Sequence, residues 1–279
     1  MSVNVSPSDV KAGLPPSIRA IGAVRLVART VEGGTEAYEV EESGPLRLRF
    51  PRLAEDALEA ILINTGGGIA GGDRLEIAVE AGEGARVSLT SQAAEKIYRA
   101  NGPAARITLR LQARSGARLD WLPQETILFD RARVARTLDA DVAADARLTI
   151  CEAVVFGRTA MDERVRSGTW RDQWRIRHGG RLVFADALTL DGSIEKFLAR
   201  PAVAAGAAAV ATIVQVAPDA ETRLDALRAA FGNEIEAGAS AFDGILIARL
   251  IAPDGFALRR TLLDALSALD CAPPPAFTL

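Results

Sequence analysis

The chain has few of the side chains on which hydrolases and soft-metal sites depend. Its 279 residues include one histidine, His178, and two cysteines, Cys151 and Cys271. The two cysteines lie far apart, which excludes a disulfide framework and a zinc-binding thiolate cluster and is typical of a reducing compartment. His178 stands beside Gly179 and Gly180 in a predicted turn. We therefore expect a structural histidine and two inert cysteines.

Several sequence signatures of other protein classes are also missing. There is no Gly-x-Ser-x-Gly nucleophile motif and no Gly-Lys-Ser/Thr phosphate-binding motif. The net charge of −3 argues against a nucleic-acid-binding protein. Residues 1–13 lack the pattern of a signal peptide, and the uncharged segment 202–217 is shorter than the roughly 20 residues of a membrane-spanning helix. We expect a cytoplasmic globular protein with neither nucleic-acid nor membrane partners.

The most unusual segment is the glycine-rich run ILINTGGGIAGGDR at residues 61–74. Three of its glycines have the spacing of a dinucleotide-binding loop, but that site needs a helix next, and residues 75–80 alternate like a strand. We interpret the run as a turn between strands that presents Asp73 at its rim. The glycines assigned to backbone geometry are Gly66, Gly67, Gly68, Gly71 and Gly72.

A repeated pattern predicts the architecture. GARV at 84–87, GARL at 116–119 and DARL at 145–148 place their alanines 32 and 29 residues apart. Each copy follows an alternating segment and a short turn and begins a second alternating segment. This pattern predicts a mainly β fold of stacked sheets built from strand-turn-strand repeats.

Helical periodicity is concentrated near the C-terminus. Segments 219–231 and 258–269 are predicted helices, and the strand-like segment 244–250 lies between them. Residues 92–98 are compatible with either a short helix or a bent strand. Three prolines at 273–275 should end the helical region and leave a surface tail. The predicted organisation is an N-terminal arm (1–19), a single β domain with C-terminal helices (20–270) and a tail (271–279).

Carboxylates are the remaining candidates for chemistry. A hydrolase on a layered β fold could use two of them as general acid and base, which predicts Asp73 and a second acid about 5 to 10 Å apart in an open groove. Carboxylates would bind divalent ions only weakly and transiently. The acids near predicted strand ends are Asp73, Glu125, Asp130, Glu152 and Asp186.

Four segments carry a resemblance to a known family. They are residues 64–73, TSQAAEKIYR at 90–99, LPQETILF at 122–129 and EAVVFGR at 152–158. In order and spacing they resemble the urease accessory protein family UreD, also called UreH. The similarity continues through 182–186 and 244–249 and covers about residues 20 to 269. The chain departs from the family at its end, where Pro275–Leu279 replaces a Pro-Arg-x-Trp-like close.

The resemblance implies a mainly β maturation factor that is not an enzyme and holds no tightly bound cofactor. Members of the family bind apo-urease and the helical protein UreF, which recruits the GTPase UreG. Together they assist nickel insertion into urease, and an internal water-filled passage is the route implied for Ni²⁺. A plain interaction scaffold with no ion path is an alternative within the same complex. Apolar helix faces near the C-terminus predict that the isolated chain aggregates.

The same resemblance suggests site residues. Asp73 is the first candidate for a passage carboxylate, with Glu152 and Asp186 as further candidates that arginine pairing would explain equally well. Polar lining is assigned to Thr90, Ser91 and Gln124. The pair Lys96 and Tyr98 matches a Lys-x-Tyr pattern of the family, for which we expect packing or partner contact.

Overall fold

β-Strands form most of the chain. The computed structural model describes residues 19–51, 56–158, 161 and 163–278, so the predicted N-terminal arm lies outside the described residues except for Arg19. The strands are β1 (Ile21–Val31), β2 (Gly34–Ser43), β3 (Leu46–Arg49), β4 (Leu58–Asn64), β5 (Arg74–Ala81), β6 (Arg86–Ser91), β7 (Glu95–Ile97), β8 (Ala105–Ala113), β9 (Arg118–Leu122), β10 (Thr126–Leu128), β11 (Arg133–Val142), β12 (Arg147–Phe156), β13 (Gly168–His178), β14 (Arg181–Gly192), β15 (Ala209–Val216), β16 (Glu236–Phe242) and β17 (Ile245–Ala252). The helices are α1 (Ile194–Leu198), α2 (Leu224–Ala230), α3 (Gly255–Ala268) and α4 (Pro275–Thr278), with a 3₁₀ turn at Ala220–Arg223.

The strands form two sheets. The seven-stranded sheet has the order β14-β13-β11-β8-β5-β1-β2. The ten-stranded sheet has the order β16-β17-β15-β12-β9-β6-β4-β3, with β10 beside β12 and β7 beside β10. The inner strands of both sheets run parallel, and antiparallel strands close the ends. The prediction of a mainly β, layered fold is confirmed.

The sequence repeats correspond to successive coils of the chain. In each copy the first strand joins the seven-stranded sheet and the second joins the ten-stranded sheet. The arginines of the three copies, Arg86, Arg118 and Arg147, lie opposite one another in adjacent parallel strands. Each copy is also hydrogen-bonded to the preceding one. The Arg118 amide donates to the Ala85 carbonyl, and the Arg147 amide donates to the Ala117 carbonyl, both at 2.8 Å. The repeat length is therefore one turn of a stacked β-coil.

Two hydrophobic cores follow from the alternation along the strands. Side chains such as Leu26, Leu109 and Leu119 fill the first core, between the two sheets. The opposite face of the ten-stranded sheet packs against α2 and α3 and forms the second core, which includes Leu227 and Leu262. The part of the ten-stranded sheet formed by β12, β15 and β17 is thus buried on both faces, which explains its nearly continuous apolar strands.

The C-terminal elements agree with the sequence except for β16, which was not predicted, and the tail. The two predicted helices correspond to the 3₁₀ turn with α2 and to α3, whose first turn is capped by Asp254 Oδ1 accepting from the Ala257 amide at 2.8 Å. Residues 92–98 contain a strand, β7. The expectation of a surface tail is wrong for α4, because Pro275 occupies the first helical position, where proline is tolerated, and Phe277 is buried.

No helix within the described ranges is long and apolar enough to cross a membrane. The uncharged segment 202–217 contributes the buried strand β15.

Candidate functional site: a charged cavity between the sheets

Three charged side chains interrupt apolar alternation at neighbouring places in the two sheets. Arg136 on β11 occupies an inward position between Val134 and Leu138. Asp172 on β13 lies directly opposite Arg136 in the parallel register. Glu152 on β12 projects from the facing sheet. Because strand side chains alternate between faces, all three point into the first core, and each is more than nine-tenths buried.

The three side chains form a hydrogen-bonded ion cluster. The Arg136 guanidinium donates to both Asp172 oxygens, from Nε at 2.9 Å and from Nη2 at 2.5 Å. Its Nη1 donates to Glu152 Oε2. The other Glu152 oxygen accepts from Trp121 Nε1 at 2.8 Å. Arg136 therefore joins a carboxylate of each sheet, and we call Arg136, Glu152 and Asp172 the interior ion cluster.

Electrostatics in this cluster favour the charged forms. Burial alone would lower the pKa of Arg136, but the negative charges of Asp172 and Glu152 outweigh burial and raise the pKa above its ordinary value. The guanidinium carbon also lies 5.3 Å from the ring centroid of Trp170 and 5.8 Å from that of Trp174. The aromatic rings add a cation–π attraction, so Arg136 is held on several sides.

A cavity of about 260 Å³ connects the interior ion cluster with a second charged pair nearer the surface. In this pair Arg249 Nη2 donates to Asp186 Oδ2 at 2.6 Å, and Arg249 Nη1 donates to Thr212 Oγ1 at 2.5 Å. The Arg249 and Asp186 side chains are partly exposed. The cavity thus has one end open to solvent and one buried end, with polar groups at both.

The chemistry available in this cavity is that of oxygen ligands moderated by arginine. Three carboxylates and two guanidiniums line the walls, which leaves a formal charge of −1. Among the described residues there is no group of three or more His, Cys, Asp or Glu side chains placed to hold a metal ion. Such a cavity can attract a cation but offers no tight coordination sphere.

Asp73 lies elsewhere, at the base of the glycine-rich turn between β4 and β5. Its side chain is 5% exposed. Oδ1 accepts from the Ala20 amide at 2.9 Å, and Oδ2 accepts from the Ala70 amide at 2.7 Å. Both oxygens therefore fasten the backbone, joining the glycine-rich turn to the start of β1.

The glycines of this turn are required by close backbone approaches. A Cβ on Gly68, whose φ is +144°, would stand 2.4 Å from the Tyr98 ring, and one on Gly71 would stand 2.3 Å from the Ala100 Cβ. The Tyr98 hydroxyl donates to the Gly67 carbonyl at 2.9 Å. Tyr98 thus stabilises the glycine-rich turn by packing and by a hydrogen bond, and this is a packing role for the tyrosine of the Lys-x-Tyr pattern. For the Lys96 side chain the structure offers no explanation.

Thr90, Ser91 and Gln124 lie together at the ends of β6 and β9, away from the cavity. Thr90 pairs with Leu122, which belongs to the second core, and Thr90 Oγ1 is buried without a hydrogen-bond partner. Ser91 Oγ accepts from the Gln124 amide at 2.9 Å. Arg259 of α3 contacts the Gln124 side chain.

The six candidate residues therefore occupy three places. The cavity brings together Glu152 and Asp186, and its walls do not include Asp73, Thr90, Ser91 or Gln124. Glu152 and Asp186 are each paired with an arginine, the alternative that the sequence left open. Arg136, Asp172 and Trp121 were not predicted as site residues from the sequence. The available signal was a charge at an inward position of an otherwise apolar strand.

The hydrolase interpretation finds no support in the placement of the other acids. Both Asp73 oxygens are used by backbone amides, and Asp130 Oδ1 accepts from the Ser167 amide at 3.1 Å. Glu125 receives two hydrogen bonds from Arg259, at 2.8 and 2.5 Å. These carboxylates are structural partners and do not form an open pair of acids.

The histidine and cysteines also have structural positions. His178 Nε2 lies 3.1 Å from the Ala144 carbonyl oxygen, which fixes the turn after β13. Both cysteine side chains are buried free thiols. Burial raises the pKa of Cys151 and of Cys271, and neighbouring carboxylates raise it further. Neither thiol is poised to ionise, as the sequence analysis expected.

Comparison with known proteins identifies the family. The family model described as UreD urease accessory protein matches residues 20–276. The urease accessory protein UreD of Methylobacterium sp. (strain 4-46) is 52% identical over 270 residues, which cover 94% of this chain and 95% of the relative. Urease accessory protein UreD 3 of Bradyrhizobium sp. (strain BTAi1) is 49% identical over 280 residues, covering 99% and 100% of the two chains. The chain belongs to the UreD urease accessory protein family, whose members are accessory factors and not enzymes.

Proposed function

We propose that this protein is a urease maturation factor that binds apo-urease and UreF in the cytoplasm, recruits UreG through UreF, and assists nickel insertion into the urease active site. Membership of the UreD family supports the general role. Exposed Phe242 on β16 and Phe256 on α3 supply apolar surface for a partner. The isolated chain should accordingly aggregate at high concentration, which size-exclusion chromatography with and without UreF would test.

The observation that carries the nickel role is the charged cavity between the sheets. Nickel is cargo here, so it must enter, bind loosely and leave. The net negative charge, which comes from the interior ion cluster because Asp186 and Arg249 offset each other, draws a cation into the cavity from the Asp186 end. Carboxylate and hydroxyl oxygens are weaker nickel ligands than histidine or cysteine, which suits transient binding.

The arginines give the cavity a second property. Arg249 and Arg136 hold Asp186 and Glu152 in defined positions. A nickel ion reaching either carboxylate competes with a guanidinium that already satisfies it. Binding is therefore weakened at each step, and the ion is not trapped along the path.

The test is urease maturation in cells that carry the urease and accessory genes. Deletion of this gene is compared with complementation by wild type, Asp186→Asn and Glu152→Gln. Asp243→Asn is the matched control, because Asp243 also pairs with an arginine, Arg181 at 3.4 Å, but on the exposed surface. The readouts are urease activity, nickel per urease and co-purification with UreF and urease.

We expect deletion to abolish maturation and Asp243→Asn to restore it fully. Asp186→Asn and Glu152→Gln should still assemble but lower the nickel content of urease severalfold. Normal nickel content in both variants would contradict the ion route and favour the plain scaffold. The pairing of Glu152 with Arg136 and Trp121 is the structural observation in favour of that alternative. Unchanged maturation after deletion would contradict the whole proposal.

A further inference from the structure

A row of polar side chains crosses five adjacent strands on the helical side of the ten-stranded sheet. Consecutive members lie opposite one another in the register of β4, β6, β9, β12 and β15. In-register residues of neighbouring strands point to the same face, so these side chains form one line within an otherwise apolar surface. The row consists of Glu59, Ser88, Asp120, Thr149 and Gln215.

The first three members of the row have unused acceptor atoms. Glu59 Oε2, Ser88 Oγ and Asp120 Oδ1 are buried, and none has a hydrogen-bond partner. Asp120 is 4% exposed, its other oxygen accepts from Arg118 Nε at 2.9 Å, and the carboxylate also interacts with the Cys271 thiol. Buried acceptors without donors are costly, and in native structures they commonly mark the place of a bound group or water.

These three residues line a cavity of about 590 Å³ beneath the residues that follow α3. Two arginines also line it, but both are committed to carboxylates. Arg86 Nη1 binds Asp56 at 2.5 Å, and Arg118 binds Asp120 and Asp270. Glu59 forms no ion pair within the described residues, and burial raises its pKa. The four carboxylates and two arginines leave the cavity negative.

We propose that this cavity binds a primary ammonium group through Glu59, Ser88 and Asp120. A primary ammonium has three N–H donors and no acceptor, which matches two carboxylate oxygens and a hydroxyl oxygen without donors, and the Ser88 O–H can itself turn toward either acid. Around one nitrogen with N–H···O bonds of about 2.9 Å, the acceptors stand roughly 4 to 5 Å apart. Neighbouring strands are spaced by about 4.8 Å, so Ser88 lies one strand spacing from each acid, and the longer side chains of Glu59 and Asp120 must lean toward Ser88 to share one nitrogen.

Other occupants fit less well. A metal ion bound directly would need a cluster of acidic or thiol ligands, and the part of the chain that the structure describes has none so placed. A guanidinium is planar and prefers two parallel contacts to one carboxylate. The cavity is long enough for an aliphatic stem, with Ala57, Ala272 and Pro273 in its wall. A lysine side chain of a partner and a free small amine share this chemistry.

Nuclear magnetic resonance of the full ¹⁵N-labelled chain, kept dilute enough to stay monomeric by size-exclusion chromatography, tests the proposal. Methylammonium chloride, Nα-acetyl-lysine amide and tetramethylammonium chloride are titrated separately at constant ionic strength, with magnesium chloride as a metal probe. We expect saturable shifts of the Ser88 and Asp120 amides with the first two compounds and none with tetramethylammonium, which has no N–H donor. The pKa of Glu59 should fall when an ammonium is bound.

Variants separate this site from general charge effects. Glu59→Gln should weaken binding about tenfold, because it removes a charge-assisted hydrogen bond. Ser88→Ala should weaken it less. Glu83→Gln, on an exposed turn, is the charge-matched control and should bind like wild type. Tighter binding of the lysine derivative than of methylammonium indicates a partner's lysine, and equal affinity indicates a free amine.

Three results would overturn the proposal: shifts equal to those with tetramethylammonium, a response to magnesium alone, or unchanged affinity in both Glu59→Gln and Ser88→Ala. None of these results bears on nickel delivery, because the row lies on the opposite face of the ten-stranded sheet from the charged cavity.

Discussion

Glu152 and Glu59 lie on opposite faces of the ten-stranded sheet and differ in how their charge is compensated. On the face toward the other sheet, Glu152 and Asp172 are both held by Arg136, and the remaining Glu152 oxygen is bound by Trp121. On the helical face, Glu59 has no ion pair among the described residues and its Oε2 has no donor. The first arrangement is complete within the protein, whereas the second lacks a partner.

A buried carboxylate therefore has different effects when it is paired within the protein and when it is not. A fully paired cluster costs desolvation energy but fixes which strands face each other, since Arg136 reaches one carboxylate in each sheet. An unpaired carboxylate contributes no such fixation. Its free energy is lowered only by a proton or by an external donor, so it responds to pH and to ligands. Stability measurements can test both halves of this contrast.

The largest effect should follow from removing the shared cation. Arg136→Met leaves two buried carboxylates without a counter-charge, and we expect the free energy of unfolding to fall by about 3 to 5 kcal/mol. Urea denaturation measures this change. Arg181→Met, which removes an exposed arginine paired with Asp243, is the control and should cost less than about 1 kcal/mol.

A triple variant, Arg136→Met with Glu152→Gln and Asp172→Asn, removes all three charges of the interior ion cluster together. It should recover much of the lost stability, because no uncompensated charge stays buried. A triple variant as unstable as Arg136→Met alone would show that packing around Arg136, and not charge pairing, dominates.

Asp73 tests a third arrangement, a carboxylate satisfied by backbone amides. Asp73→Ala removes two charge-assisted hydrogen bonds and should lower the free energy of unfolding by about 2 to 3 kcal/mol. Asp73→Asn should lose less, because its amide oxygen can still accept one bond. Amide hydrogen exchange at Ala20 and Ala70 should accelerate in both variants. Unchanged protection at both amides would contradict the bracing role of Asp73.

The fold was largely predictable because its determinants are local and repeated. Alternation identified the strands of the three repeats and β17 but not the long strands β1, β2, β13 and β14, and the alanine spacing around Ala85, Ala117 and Ala146 identified the coil. The failure at the tail also has a local cause. Proline stops a preceding helix but can begin a new one, so residues 273–275 did not exclude α4, and Phe277 gains burial by forming it.

The candidate site was less predictable because its partners are distant in sequence. Arg136 and Asp172 are 36 residues apart, and the segment between β12 and β13 breaks the regular spacing of the coil. The sequence shows that Asp186 and Arg249 are charged but not that they meet across 63 positions. The passage role of Asp73 came from a resemblance, and its backbone hydrogen bonds depend on how the turn folds.

Glu95 is a second carboxylate without an ion pair among the described residues, and it should make stability depend on pH. Burial raises the pKa of Glu95 to about 7 from an ordinary 4.5, although hydrogen bonds from Asn64 oppose the shift. The folded state therefore binds this proton more tightly than the unfolded state. Its contribution to stability is complete below pH 4.5 and is lost as pH rises toward and through about 7.

Glu95→Gln removes this dependence. Wild type should lose stability relative to the variant between pH 4.5 and about 7, with a constant difference above that range. Urea denaturation at several pH values measures it, with Glu83→Gln on an exposed turn as the control for a lost surface charge. Parallel curves for wild type and Glu95→Gln across the whole range would contradict a protonated buried Glu95.

Glu59 should give the smallest effect, because it is only partly buried and its shift has burial as its one cause. Its raised pKa means that folding favours the protonated form, so wild type should lose a little stability relative to Glu59→Gln as pH rises above 4.5. The comparison with Arg136→Met is the informative part. Removing a charge from the interior ion cluster should destabilise the protein, whereas removing the Glu59 charge should stabilise it slightly at pH 8. Urea denaturation of both variants at pH 8 measures this difference. A loss of stability in Glu59→Gln would mean that Glu59 already has a compensating partner, and Glu59 and Glu152 would then not differ in this respect.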